Sequence, residues 1–130
     1  MTDTHLVDTN VILRYLLADH PDLHMRAKTF FDAVRTGNRR AFVSESVLAE
    51  CVYVMQRIYQ VPRVEIAAKL TGLLGYHGIG GERLPMLRHA IGIYGATSLS
   101  FVDALIAATA AALQLPVETF DEGLRKYLDR

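Results

Sequence analysis

Leu6-Val7-Asp8-Thr9-Asn10 sets the reading of the whole chain. The two apolar residues belong to a short strand, about His5 to Asp8. Val11, Ile12, Leu13, Tyr15, Leu16 and Leu17 then follow at helical spacing. Asp8 therefore stands where strand gives way to helix. In an α/β protein the carboxyl ends of the strands border the crevice in which ligands bind. Taken alone, an aspartate at such a junction reads first as a helix N-cap. A larger role requires other carboxylates that converge on it.

The same alternation of strand and helix continues outward. A first helix covers about Thr9 to Ala18 and is broken by Asp19-His20-Pro21. Pro21 suits the first turn of a second helix, which carries Leu23, Ala27, Phe30, Phe31 and Val34 on one stripe and stops at Gly37. Ala41-Phe42-Val43 reads as a strand. Ser44 or Ser46 then caps a third helix reaching about Tyr59, and a fourth runs from Arg63 to Leu74. Gly75, Gly78, Gly80 and Gly81 make a turn-rich stretch in which an edge strand near Ile79 to Leu84 is left open. Pro85 opens a fifth helix ending near Gly95, and Ser100 caps a sixth reaching Gln114. Val117 to Phe120 reads as a last strand, and Asp121 starts a terminal helix. The pattern predicts the α/β class: one domain over residues 1–130, with a short central parallel sheet and helices on both faces.

Size and composition fit that expectation. The chain has 130 residues, 51% of them hydrophobic and 22% charged, enough for a real core. At this length the radius of gyration is about 14 Å, so residues far apart in sequence can meet. Fourteen basic and fourteen acidic residues cancel, so bulk charge gives no support to tight nucleic-acid binding. Eleven of the basic residues are Arg, the better bidentate partner for phosphate. The single cysteine, Cys51, excludes an internal disulfide and lies on the apolar stripe of the third helix. Met1 to His5 lacks the pattern of a signal peptide, and the uncharged run from Ala104 to Val117 is too short to span a bilayer. A cytoplasmic protein with no membrane partner is expected.

Three further carboxylates stand out. Glu50 lies at the border of the apolar arc formed by Val47, Cys51, Val54 and Ile58, where a Glu paired with Arg57 is the plain reading. Asp103 is the only charge between Phe101 and Leu113. A helix so poor in charge is expected to be buried on most sides, where a lone carboxylate is costly. The plain reading of Asp103 is a capping box with Ser100. Asp121 repeats the geometry of Asp8, past a strand and before a helix. Strand carboxyl ends and helix amino ends share one edge of a parallel sheet, so Asp8, Asp103 and Asp121 are expected there together. Carboxylates gathered in one cleft repel one another, and a hard cation relieves this. Mg²⁺ takes oxygen ligands, usually a few carboxylates plus substrate phosphate. The histidines, His5, His20, His24, His77 and His89, show no zinc spacing and read as surface residues.

Leu-Val-Asp-Thr-Asn at 6–10, Ser-Glu-Ser-Val-Leu-Ala-Glu at 44–50, Ser-Phe-Val-Asp-Ala-Leu-Ile-Ala-Ala-Thr-Ala at 100–110 and Leu-Pro-Val-Glu-Thr-Phe-Asp at 115–121 resemble PIN-domain proteins, in particular the VapC-type toxins of bacterial toxin–antitoxin pairs. The combination is specific and spans the chain. The Gly-rich stretch from Gly72 to Gly81 departs from the family pattern, which often has a recognisable strand there. The resemblance implies a ribonuclease dependent on Mg²⁺ or Mn²⁺, with Asp8, Glu50, Asp103 and Asp121 as the acidic site and Asp8 and Asp103 as the first metal ligands. Thr9, Asn10, Ser100 and Thr119 would support the site. Metal-activated water would cleave RNA to a 5′-phosphate and a 3′-hydroxyl. Arg14, then Arg39 and Arg40, are candidate RNA contacts.

The same resemblance implies a homodimer and a cognate antitoxin protein seated near helices one to four, where Tyr15, Leu16, Leu17, Phe30, Phe31, Tyr53, Met55 and Tyr59 supply apolar surface. Two other readings compete. A receiver-like Mg²⁺-binding module is disfavoured because no adjacent acidic pair follows the first strand and no Lys follows a late one. A PIN-like domain acting only through a partner is disfavoured because all four acidic positions are filled.

Overall fold

A computed structural model describes residues 4–130. Its elements run β1 (Thr4–Leu6), α1 (Thr9–Leu17), α2 (Pro21–Thr36), β2 (Arg40–Phe42), α3 (Glu45–Arg57), α4 (Arg63–Leu74), β3 (Ile79–Gly80), α5 (Leu84–Ala96), α6 (Phe101–Leu113) and α7 (Glu122–Leu128). The three strands form one parallel sheet in the order β1-β2-β3, with helices flanking it. The α/β class and the parallel sheet are as expected. Pro21 sits in the first turn of α2, and Gly37 closes that helix at φ 87, a left-handed value that glycine adopts freely.

The sheet is short because few residues have a partner. Leu6 pairs with Phe42, and Phe42 with Gly80. β3 reaches β2 only through Gly78: a Cβ there would collide with the carbonyls of Arg39 and Val34. The Gly-rich stretch therefore does form the third strand, of two residues.

One sheet face packs into the core through Val7, Ala41, Val43 and Ile79. The face carrying Leu6, Phe42 and Gly80 is exposed, Leu6 at 71%. The cover is thus uneven, whereas a fully packed parallel sheet buries both faces. The core continues through Ile12, Phe31, Leu48, Met55, Ile66, Leu70 and Ile91, with α5 packed between α4 and α6.

Three expectations are corrected. Residues 117–120 form no strand. Thr119 O accepts from the Arg125 side chain, and Asp121 N donates to the Thr119 hydroxyl. These local side-chain bonds take backbone groups that a ladder would use. Second, α6 is not buried on most sides. It packs through Ala104, Ala107 and Ala108, while Val102, Ile106 and Leu113 share an exposed stripe. Lack of charge reported the absence of ion pairs there, not burial. Third, the histidines are not uniformly at the surface. His5 is half-buried and edge-on to Phe30, and half-buried His24 has its Nδ1 3.0 Å from Arg14 O, whereas His20, which caps α2, and His77 and His89 are exposed as expected.

Candidate active site

β1 ends at Leu6, and the chain turns into α1 through Val7 and Asp8. Asp8 is the N-cap of α1, its Oδ1 accepting from Thr9 N at 2.8 Å. This bond uses one oxygen and leaves Oδ2 free. The capping role and a ligand role are therefore compatible.

Thr9 is the buried polar residue among the described residues, 6% exposed. Its hydroxyl donates to Glu50 Oε1 at 2.7 Å. Glu50 lies in the second turn of α3, whose inner stripe of Leu48, Cys51, Val52 and Met55 is fixed in the core. The backbone places Glu50 at the border of that stripe, and Thr9 then aims its carboxylate toward the start of α1. The expected pairing with Arg57 does not occur, and Arg57 instead stacks over the Tyr53 ring. Both Asp8 and Glu50 act on buried Cys51: burial first, then these two negative charges, pushes its thiol up to about 12.

Asp103 lies in the first turn of α6, half-buried. Ser100 Oγ accepts from Asp103 N at 3.1 Å, which is half of a capping box. No reciprocal bond from the Asp103 carboxylate occurs among the described residues. Asp121 caps α7, its Oδ2 accepting from Leu124 N at 2.8 Å. The start of α7 packs beside Leu99, so Asp121 and Ser100 lie at the same end of α6.

The structure thus joins Asp8, Thr9 and Glu50 directly. It does not draw three acidic or other ligating side chains into one group that could hold an ion, among the described residues. Asp19, Asp32 and Glu45 are ion-paired with Arg14, Lys28 and Arg83. Asp8, Glu50, Asp103 and Asp121 have no such partner among the described residues. Asp8 and Glu50, joined through Thr9, are oxygen donors with uncompensated charge, the chemistry that suits a hard divalent cation, and Asp103 is a further unpaired carboxylate not drawn into a group with them. For Mg²⁺, one or two protein carboxylates plus substrate phosphate suffice.

A groove of about 450 Å³ opens beside Asp8, lined by Leu6, Asn10, Val11, Arg14, Leu23, Arg26 and Phe30. Asn10 therefore faces the approach to Asp8. Arg14 reaches it as well, although its guanidinium is paired with Asp19 at 2.7 Å and bonded to the Tyr59 hydroxyl, which holds its pKa up. Arg26 was missed at the sequence level. The signal was available, because Leu23, Arg26, Ala27 and Phe30 repeat at three-to-four spacing on α2. Arg39 and Arg40 are not brought to the site. Arg40 pairs with Thr4 at the strand starts, about 13 Å from Asp8 at the extended rise of a strand. Thr119 stands beside Asp121, its hydroxyl accepting from Asp121 N at 3.0 Å.

The class the fold defines is a single α/β domain on a short parallel sheet, with unpaired carboxylates at its strand and helix ends. The chain belongs to the PIN-domain family, whose model matches residues 5–128. It is 28% identical over 100 residues to a VapC ribonuclease from Aquifex aeolicus (strain VF5), a match covering 77% of this chain and 73% of that protein. No solved structure matches significantly. No helix among the described residues is long and apolar enough to cross a membrane.

Proposed function

We propose that this chain is a ribonuclease dependent on Mg²⁺ or Mn²⁺, the toxin of a toxin–antitoxin pair. The observation that carries the reading is the Asp8–Thr9–Glu50 arrangement within a PIN-domain chain: Thr9 holds Asp8 through its backbone N–H and Glu50 through its buried hydroxyl, leaving each carboxylate a free oxygen and no cationic partner among the described residues. The likeness to a VapC ribonuclease supports the substrate class.

In this reading Asp8 and Glu50, with Asp103, would hold the cation, and Asp121 would add negative charge from the start of α7. When bound, the cation would supply a more acidic water and positive charge against the phosphate. Thr9 keeps Glu50 in one orientation, so little reorganisation is needed when substrate arrives. Asn10 and Ser100 provide polar groups beside the scissile phosphate. Arg14 and Arg26 grip the neighbouring backbone along the groove. Hydrolysis forms a phosphorus–oxygen bond to water and breaks the bond to the 3′-oxygen, which leaves with a proton, giving a 5′-phosphate and a 3′-hydroxyl. The protein works as a cytoplasmic homodimer, held inactive by a cognate antitoxin.

Purified protein is expected to cut RNA with Mg²⁺ or Mn²⁺ and to stop when chelator is added. Asp8→Asn and Asp103→Asn should each abolish cleavage. Undiminished cutting by either variant would remove that residue from the site.

A further inference from the structure

We infer that Arg63 is a positioning residue for the acidic site: it fixes the amino end of α6, and with it Ser100 and Asp103, relative to the helix that carries Glu50. The inference rests on the reading of Asp103 as a metal-site group.

Arg63 opens α4, far in sequence from any acidic motif. Its Nη2 donates to the carbonyl oxygen of Leu99, the residue before the cap of α6. The guanidinium lies 4.1 Å from the centroid of the Tyr94 ring. Tyr94 is fully buried, and its hydroxyl donates to Gln56 Oε1 at 2.8 Å. Gln56 is on α3, the same helix as Glu50. A continuous path therefore joins the two ends of the site: α3, Gln56, Tyr94, Arg63, Leu99 and then Ser100 with Asp103.

The backbone before α6 is held from its other side as well. Leu99 N donates to the Thr97 hydroxyl at 3.2 Å, and that hydroxyl donates to Ile93 O at 2.7 Å. Both polar atoms of the Leu99 backbone are thus tied, one to α5 and one to Arg63. Ser100 then begins α6 with its side chain already committed to Asp103 N.

Arg63 is an expensive way to bond one carbonyl. Its Nε is buried with no hydrogen-bond partner among the described residues, which costs stability. A lysine would reach the carbonyl without that orphan donor. A guanidinium can sit over the Tyr94 ring and still donate to a carbonyl from an outer nitrogen, which a lysine ammonium, a single point charge, does less directionally. The geometry therefore uses the feature that sets the direction of the contact, which is what positioning a metal-site group demands.

The test compares Arg63→Lys with wild type, using Mn²⁺ binding followed by electron paramagnetic resonance, the Mg²⁺ concentration for half-maximal cleavage, and KM for RNA. Arg63→Lys should fold, bind Mn²⁺ about tenfold more weakly and need correspondingly more Mg²⁺, with KM for RNA unchanged. Wild-type Mn²⁺ affinity in Arg63→Lys would overturn the inference. If that variant fails to fold, Tyr94→Phe keeps the stacked ring and drops only the bond to Gln56. Weakened Mn²⁺ binding in it supports the path, and unchanged binding overturns it. Asp103→Asn separates the two levels: if it binds Mn²⁺ as wild type does, the metal-site reading of Asp103 fails and the role of Arg63 falls with it.

Discussion

Thr9 donates its hydroxyl to Glu50 across 2.7 Å, joining the first turn of α1 to the second turn of α3, residues 41 positions apart. Thr9 is buried, so the bond is shielded from competing water. It turns a border glutamate, which would otherwise sample several rotamers, into a fixed group beside Asp8.

Removing that hydroxyl should separate site geometry from stability. Thr9→Val keeps the volume and removes the donor. Cleavage should fall about tenfold, the usual scale for an outer partner of a metal ligand, and Thr9→Ser should restore most of it. Initial rates at saturating Mg²⁺, with thermal melts alongside, check this. Equal activity in Thr9→Val and wild type would show that Glu50 needs no orientation.

Asp121 has two roles that substitution can separate. Its Oδ2 caps α7 through Leu124 N. Asp121→Ala should destabilise the protein by about 1 kcal/mol through the lost cap, whereas Asn is as good a cap as Asp. Asp121→Asn should therefore melt like wild type while cutting RNA more slowly. A normal rate in Asp121→Asn would reduce this residue to a cap.

Arg26 lines the groove beside Asp8, and it has no acidic partner among the described residues. Arg26→Gln should raise KM for RNA several-fold, leave kcat nearly unchanged, and lower the salt dependence of binding by about one counterion. Arg39→Gln, at the opposite edge of the sheet, should do neither. Titrations of each variant at several salt concentrations distinguish them.

Cys51 offers a pH test of the two carboxylates that flank it. Burial, then Glu50 and Asp8, holds its thiol at about 12 in the folded protein, against an ordinary value of 9.0. The folded state keeps a proton that the unfolded chain releases, so stability should decline as pH rises from 9 toward 12. Cys51→Ala should lose that part of the slope. Native protein should also resist thiol reagents at pH 8 and react only on unfolding.

Much of this protein was legible in one dimension. Helix boundaries follow from stripes and punctuation: Pro21 starts α2, Gly37 ends it, and Ser44 and Ser100 cap α3 and α6. The four carboxylates stood out because each sits at a junction or a border where local pattern leaves it without an apolar duty.

What only the tertiary structure decided is partnership. Period gives the face a residue occupies, not what meets that face. Glu50 at the edge of an apolar arc could have paired with Arg57, and the crossing of α1 over α3 gave it Thr9. Arg40 was a candidate RNA contact on sequence alone, and parallel pairing puts it beside Thr4 at the strand starts, away from Asp8. Residues 117–120 had the composition of a strand, but a strand exists only where a neighbour supplies its ladder, and Arg125 took the Thr119 carbonyl. Sequence by itself determined which residues carry charge and where the helices begin. The packing of those helices determined which charges meet, because contact depends on how elements cross, and crossing is set by the shape of the whole core.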